Sequence, residues 1–209
     1  MKTVLLLLTM TASALAQTKV TFDEATSLPA GWKTGITGTG AAKWEVVRGD
    51  DAASSPNVLK QSGEATFCWA VKADAAVKDG FVETKFKPLS GHEDQAGGLV
   101  FRFQDADNYY VVRGNALEGN VVLYKTVNGK RSSLQVKGRM FGYGLDAKVA
   151  RNKWSTLRVD FAGALFSVSL NGAKLFEIED SSINVAGGVG VWTKADSVTL
   201  FDDFTYGTK

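Results

Sequence analysis

The chain has 209 residues and a formal charge of +2, with 44% hydrophobic and 22% charged residues, one Cys and one His. This composition belongs to a globular chain and excludes collagenous, disordered and disulfide-stapled classes. A single histidine excludes multi-His zinc sites, a single cysteine excludes internal disulfides and CxxC sites, and near-neutrality offers no basic face for nucleic acid.

In chain order, the first segment reads as a targeting signal and not as fold. Lys2 supplies the charged start, residues 4–10 form a short apolar run, and Ala14-Leu15-Ala16 is a small-residue cleavage pattern. The run falls short of the ~20 residues that span a bilayer, and no later segment is apolar enough to do so. Cleavage after Ala16 would leave 193 of the 209 residues and, without Lys2, reduce the charge from +2 to +1. The expectation is export to the periplasm or beyond, followed by one domain over residues 17–209. No cysteine follows the cleavage point to carry a lipid, and no Asn lies in an N-x-[ST] sequon, which is compatible with a bacterial envelope protein.

From Gln17 onward the period is two almost throughout. Residues 65–71 alternate around Cys68, which has no neighbouring His or Lys to activate it and reads as a small buried hydrophobe. Residues 74–78 carry enough helical patterning for a turn or two. Residues 81–87 alternate again, and His92 then falls in a polar loop. Residues 99–104 and 108–113 flank a tight connection at Asp105-Ala106-Asp107. Asn128-Gly129 and Asn171-Gly172 are hairpin turns between strand-like runs, and residues 145–150 form a second short helical candidate. Residues 157–161 and 166–170 place apolar side chains on one face only, as half-buried antiparallel strands do. About a dozen such strands make an all-β sandwich.

Three stretches resemble the concanavalin A-like lectin/glucanase superfamily in its laminin-G-like jelly-roll branch. The first is Gly97-Gly98-Leu99-Val100-Phe101-Arg102-Phe103 through Asp107-Asn108-Tyr109-Tyr110 to Arg113. The second begins at Trp154-Ser155-Thr156-Leu157 and continues to Leu170-Asn171-Gly172. The third is Gly188-Val189-Gly190-Val191-Trp192, with Phe201-Asp202-Asp203-Phe204 after it. Val20-Thr21-Phe22-Asp23 and Leu28-Pro29-Ala30-Gly31-Trp32 suit the family's opening strand and loop. The resemblance implies a two-sheet antiparallel jelly-roll sandwich. It also implies a carbohydrate ligand on the concave sheet, or hydrolysis of glycosides or 3-keto-disaccharides as in the family 16-like members.

The family's hydrolytic carboxylate pattern is missing. Glu177 and Glu179 share a face but lack the intervening Asp and the distal Glu, and a solvated strand edge is the better reading. If the domain does chemistry, carboxylates must carry it, with Glu83 the candidate acid or base. Binding therefore leads. Pairing Phe101 with Val111 and Phe103 with Tyr109 on the core face would set Arg102 and Tyr110 opposite each other on the outer face. Glu83, Lys85, Tyr124, Trp192 and Lys194 would join them there. Apolar sugar faces stack on Trp and Tyr, while Arg and carboxylates bind hydroxyls. Arg113 has the opposite parity and joins only if a bulge intervenes. A neutral glycan suits the near-neutral chain better than a polyanion. A protein partner, as for an adhesion module, is the third reading. No cofactor is required. Many relatives carry a structural Ca²⁺, for which Asp23 with Asp202 or Asp203, or Asp105 with Asp107, are the candidates, although turn and capping roles fit these residues better.

Overall fold

The computed structural model describes residues 17–140 and 142–209, so the signal-like segment lies outside the described residues. The first eight strands are β1 (Gln17–Val20), β2 (Trp32–Ala41), β3 (Trp44–Arg48), β4 (Asn57–Gln61), β5 (Glu64–Val77), β6 (Gly80–Ser90), β7 (Ala96–Asp105) and β8 (Asn108–Asn115). The others are β9 (Asn120–Val127), β10 (Lys130–Ser133), β11 (Leu145–Asp146), β12 (Ser155–Ala162), β13 (Leu165–Leu170), β14 (Ala173–Glu179), β15 (Gly187–Ala195) and β16 (Val198–Thr208).

They form two antiparallel sheets. The back sheet runs β14-β13-β12-β6-β16-β4-β3, with β1 also on β16, and the front sheet runs β10-β9-β8-β7-β15-β5-β2, with β11 on β9. The opening and closing strands thus pair, Val20 opposite Phe204. Between the sheets lies an aromatic core. Phe101 stacks on Tyr110 at 5.1 Å and on Phe161 at 4.9 Å, and meets Phe166 edge-on. Rings in such geometries add to what their buried area contributes. The back-sheet strands follow their alternation: Leu157, Val159 and Phe161 of β12 and Phe166, Val168 and Leu170 of β13 are all buried.

Both Asn-Gly turns form as expected. Asn128 and Gly129 take φ values of 50° and 74°, and Asn171 and Gly172 take 51° and 78°, the doubly left-handed geometry of a twist-matched hairpin. The two helical candidates do not form. Asp74 to Val77 complete β5, where Ala75 and Val77 alternate into the core, and Leu145 pairs with Val121 as part of β11. Short helical patterns this weak yield to the sheet that extends through them.

Candidate functional site

The front sheet is strongly curled. β10 and β5 are separated by four strands, roughly 24 Å if flat at the usual spacing. Yet the Arg131 guanidinium of β10 lies 4.2 Å from the centre of the Phe67 ring of β5. Likewise, the Thr37 hydroxyl of β2 donates to the Ala106 carbonyl and lies 3.0 Å from the Tyr109 hydroxyl of β8. The face carrying these residues is the concave one, and the back sheet packs on the convex side.

Side chains fill the concave face as a second, smaller core of Trp69, Val71, Val100, Tyr109, Val111, Val122, Tyr124 and Trp192. A continuous stack crosses it. Trp192 lies on Phe67 at 5.4 Å, Phe67 on Arg131, and Arg131 on Tyr124 at 4.3 Å, with Arg113 beyond at 5.7 Å. Guanidinium planes suit such sandwiches because they stack on aromatic faces while keeping their edge donors available. Trp69 lies over Gly35, where a Cβ would come within 2.4 Å of the indole. Gly35→Ala is therefore expected to cost about 1–3 kcal/mol by overpacking, read in urea unfolding together with a change in tryptophan emission.

Beside the stack lies a charged network. Buried Arg113 makes a bidentate pair with Glu118, at 2.7 and 2.9 Å, and reaches Asn120 at 2.7 Å. These hydrogen bonds from Arg113, opposed by partial burial, hold the Glu118 carboxyl at about 2. Buried Asp94 accepts from Asn115 at 2.6 Å and pairs with Lys194. Burial also pushes the Tyr124 hydroxyl well above its ordinary range, so it stays protonated. A cavity of about 470 Å³ adjoins this end of the groove, lined by Glu64, Thr66, Phe67, Glu93 and Lys194 among others. An open hollow of about 530 Å³ elsewhere is lined by residues 20–30, with Phe22, Asp23 and Glu24 but no cation.

Five buried polar atoms on the concave face have no partner among the described residues: the Trp69 and Trp192 indole N–H groups, Arg113 Nε, Arg131 Nη1 and Thr126 Oγ1. Four of them are pure donors. Buried donors are almost always satisfied, by bound water where no protein group reaches them, and the Trp32 and Trp44 indole N–H groups elsewhere are in the same position.

The sequence-predicted residues do not all meet here. Trp192, Tyr124 and Lys194 do lie on the concave face, but Trp192 is 0% and Tyr124 2% exposed, so neither offers an open ring for stacking. Arg102 and Tyr110 are elsewhere. The observed register pairs Phe101 with Tyr110 and Val100 with Val111, not Phe101 with Val111. Between Phe101 and Asp105 the ladder breaks, and Arg102 takes φ 49°. This bulge turns the buried Arg102 away from the concave face. It donates to the Lys78, Ile183 and Gly163 carbonyls and to Asp79. Tyr110 points into the inter-sheet core and donates to Asp180. The same bulge leaves Arg113 on the concave face. Glu83 belongs to the other sheet, 3.6 Å from Arg158 in a polar hollow with Lys85. Sequence reasoning missed Arg131 and Phe67; the β9–β10 hairpin turn at Asn128-Gly129 was visible, but not the curl that brings β10 over β5.

No family model matches the sequence, and none of the curated proteins does. Solved structures do match. CBM66, a carbohydrate-binding module from Bacillus subtilis, superposes with a TM-score of 0.64 at 22% identity, covering 85% of this chain and 95% of its own. Cellulose induced protein Cip1 gives 0.65 at 13% identity over 91% and 96% of the two chains. The β-glucanase of Bacillus licheniformis gives 0.54 at 12% identity over 95% and 100%. The fold is a jelly-roll β-sandwich.

In this jelly roll the acidic candidates for calcium have other partners. Asp23 accepts from the Asn57 N–H at 3.1 Å, and Asp202 from Ser54 at 2.6 and 2.9 Å. Burial raises the Asp202 carboxyl above its ordinary range despite those hydrogen bonds. Asp203 pairs with Lys19 and Lys85, each at 2.7 Å, and these outweigh its burial and lower its pKa. Asp105 closes its own turn by accepting from the Asp107 N–H at 2.8 Å. Among the described residues no group of three or more His, Cys, Asp or Glu converges as metal ligands would. Cys68 is buried, which pushes its thiol pKa up and disfavours the thiolate. His92 is in an exposed loop whose N–H groups, from His92 to Asp94, are gathered by the Asp196 carboxylate.

Proposed function

We propose that the protein binds a carbohydrate on the concave face of its front sheet. The observation that carries this reading is the stack of Trp192, Phe67, Arg131 and Tyr124 across the curled concave face, with the 470 Å³ cavity at its end, where Glu64 and Glu93 are available for hydroxyl groups. A cavity of this size is within the range of small-ligand sites, and its few convergent polar groups over an apolar floor suit a sugar. CBM66, which shares the fold, is itself named as a carbohydrate-binding module. The signal-like segment before Gln17 supports an extracellular setting for the glycan.

Hydrolysis has less support. Asp94 and Glu118 are tied to Lys194 and Arg113, and Glu83 is on the other sheet. A glycan array followed by calorimetry on the hits tests the proposal. Thr66→Arg, an exposed position on the cavity wall, is expected to weaken binding at least tenfold, whereas Glu83→Gln on the back sheet leaves it unchanged. Binding that survives Thr66→Arg, or is lost in Glu83→Gln, overturns the assignment of the face.

A further inference from the structure

Arg131 is the unusual cation of the concave face. It reaches from the edge strand β10 across the groove, between Phe67 at 4.2 Å and Tyr124 at 4.3 Å, with Trp192 behind at 5.8 Å. Its neighbours are compensated: Arg113 by Glu118, and Lys194 by Asp94. Among the described residues no carboxylate and no hydrogen-bond acceptor engages Arg131, and its Nη1 is buried without a partner. A guanidinium does not deprotonate, and a half-buried charge without a counter-charge is costly. The two rings flank the guanidinium, and Nε with Nη2, which are not buried with Nη1, form a fork of N–H groups that matches a carboxylate.

We propose that the glycan taken by this face carries a carboxylate, received by Arg131 as a bidentate pair; this rests on the carbohydrate-binding reading above. Phe67 is shared between the Arg131 sandwich and the 470 Å³ cavity, so the guanidinium is separated from the cavity by that one ring, and a sugar extending past Phe67 reaches it. Glu64 and Glu93 on the cavity wall repel a second anionic group while accepting hydroxyl hydrogen bonds. The ligand class is thus a uronic-acid sugar with one carboxylate at the recognised residue, and not a polyanion.

The test is an array of uronic-acid-bearing oligosaccharides, each beside its carboxyl-reduced neutral partner and a sulfated analogue, with calorimetry at low and high salt. The acid member is expected to bind at least tenfold more tightly than its neutral partner, with the advantage shrinking in high salt. Arg131→Gln should abolish that advantage and Arg131→Lys should retain part of it, each variant being checked for a native melting transition. The Lys variant keeps the test decisive should the Gln variant fail to fold. Equal affinity for acid and neutral members, or an acid preference unchanged in Arg131→Lys and Arg131→Gln, overturns this inference and leaves the carbohydrate-binding reading intact. Preference for the sulfated analogue overturns the carboxylate assignment. Absence of binding to every member overturns both readings.

Discussion

Trp192→Ala is expected to cost about 3–5 kcal/mol of folding stability, the range for emptying a large aromatic site in a packed core. For a chain of this length that lowers the melting temperature by roughly 6–20 °C. Trp192 is fully buried, paired across the strands with Trp69 and stacked on Phe67. An exposed sugar platform at the same position would lose binding on truncation but keep its stability within about 0.5 kcal/mol. Thermal melts of Trp192→Ala and Trp192→Phe separate the two roles. The Phe variant keeps most of the stack and should lose the smaller share. A Trp192→Ala protein that melts like the parent would show that the concave face is not a packed second core.

This contrast shows what the sequence could and could not reveal. Strand identity was legible wherever one face meets the core and the other meets water, as in Leu157-Arg158-Val159-Asp160-Phe161, because period-two alternation records that asymmetry directly. Asn128-Gly129 and Asn171-Gly172 were legible because few dipeptides tolerate two left-handed residues in succession. The face of the sheet on which each side chain falls was less legible. A parity argument carries along a strand only until a bulge, and Arg102 lies within one. Three residues of β7 there oppose the single Tyr109 of β8, so the assignment of Arg102 and Tyr110 to the outer face reversed, while Arg113 entered the groove.

Curvature was the other illegible quantity. On the front sheet both faces are apolar: Tyr110 and Val112 face the inter-sheet core, and Tyr109 and Val111 face the concave side. Continuous apolar runs such as Tyr109-Tyr110-Val111-Val112 do not distinguish the two sides. Arg131 and Phe67 meet only because the sheet curls across four intervening strands, and no local pattern encodes a contact between residues so far apart in the ladder. The groove's central cation therefore lay within a four-residue edge strand, Lys130–Ser133, that no local pattern singled out.

Arg113→Met should destabilise the fold at neutral pH by about 3–5 kcal/mol, the usual cost of removing one partner from a buried ion pair. Glu118 would lose its bidentate partner, Asn120 its donor, and buried Asp94 the second of two cations. The size of the effect should also depend on pH, with a sign fixed by Glu118. Its carboxyl is held at about 2, chiefly by the Arg113 hydrogen bonds, against an ordinary value of 4.5. A depressed carboxylate contributes stability that is fully present above its ordinary value and is lost as pH falls through the folded one. The parent should accordingly lose stability between about pH 4.5 and about pH 2. Arg113→Met lacks this contribution, so the gap between the two proteins should narrow on acidification. Partial exposure of Glu118 screens the pair and moderates the slope without changing its direction. Urea unfolding of both proteins at about pH 7 and about pH 3 measures the gap directly. A gap that stays constant, or widens in acid, would mean that Arg113 acts through packing against Tyr124 and not through its pair with Glu118.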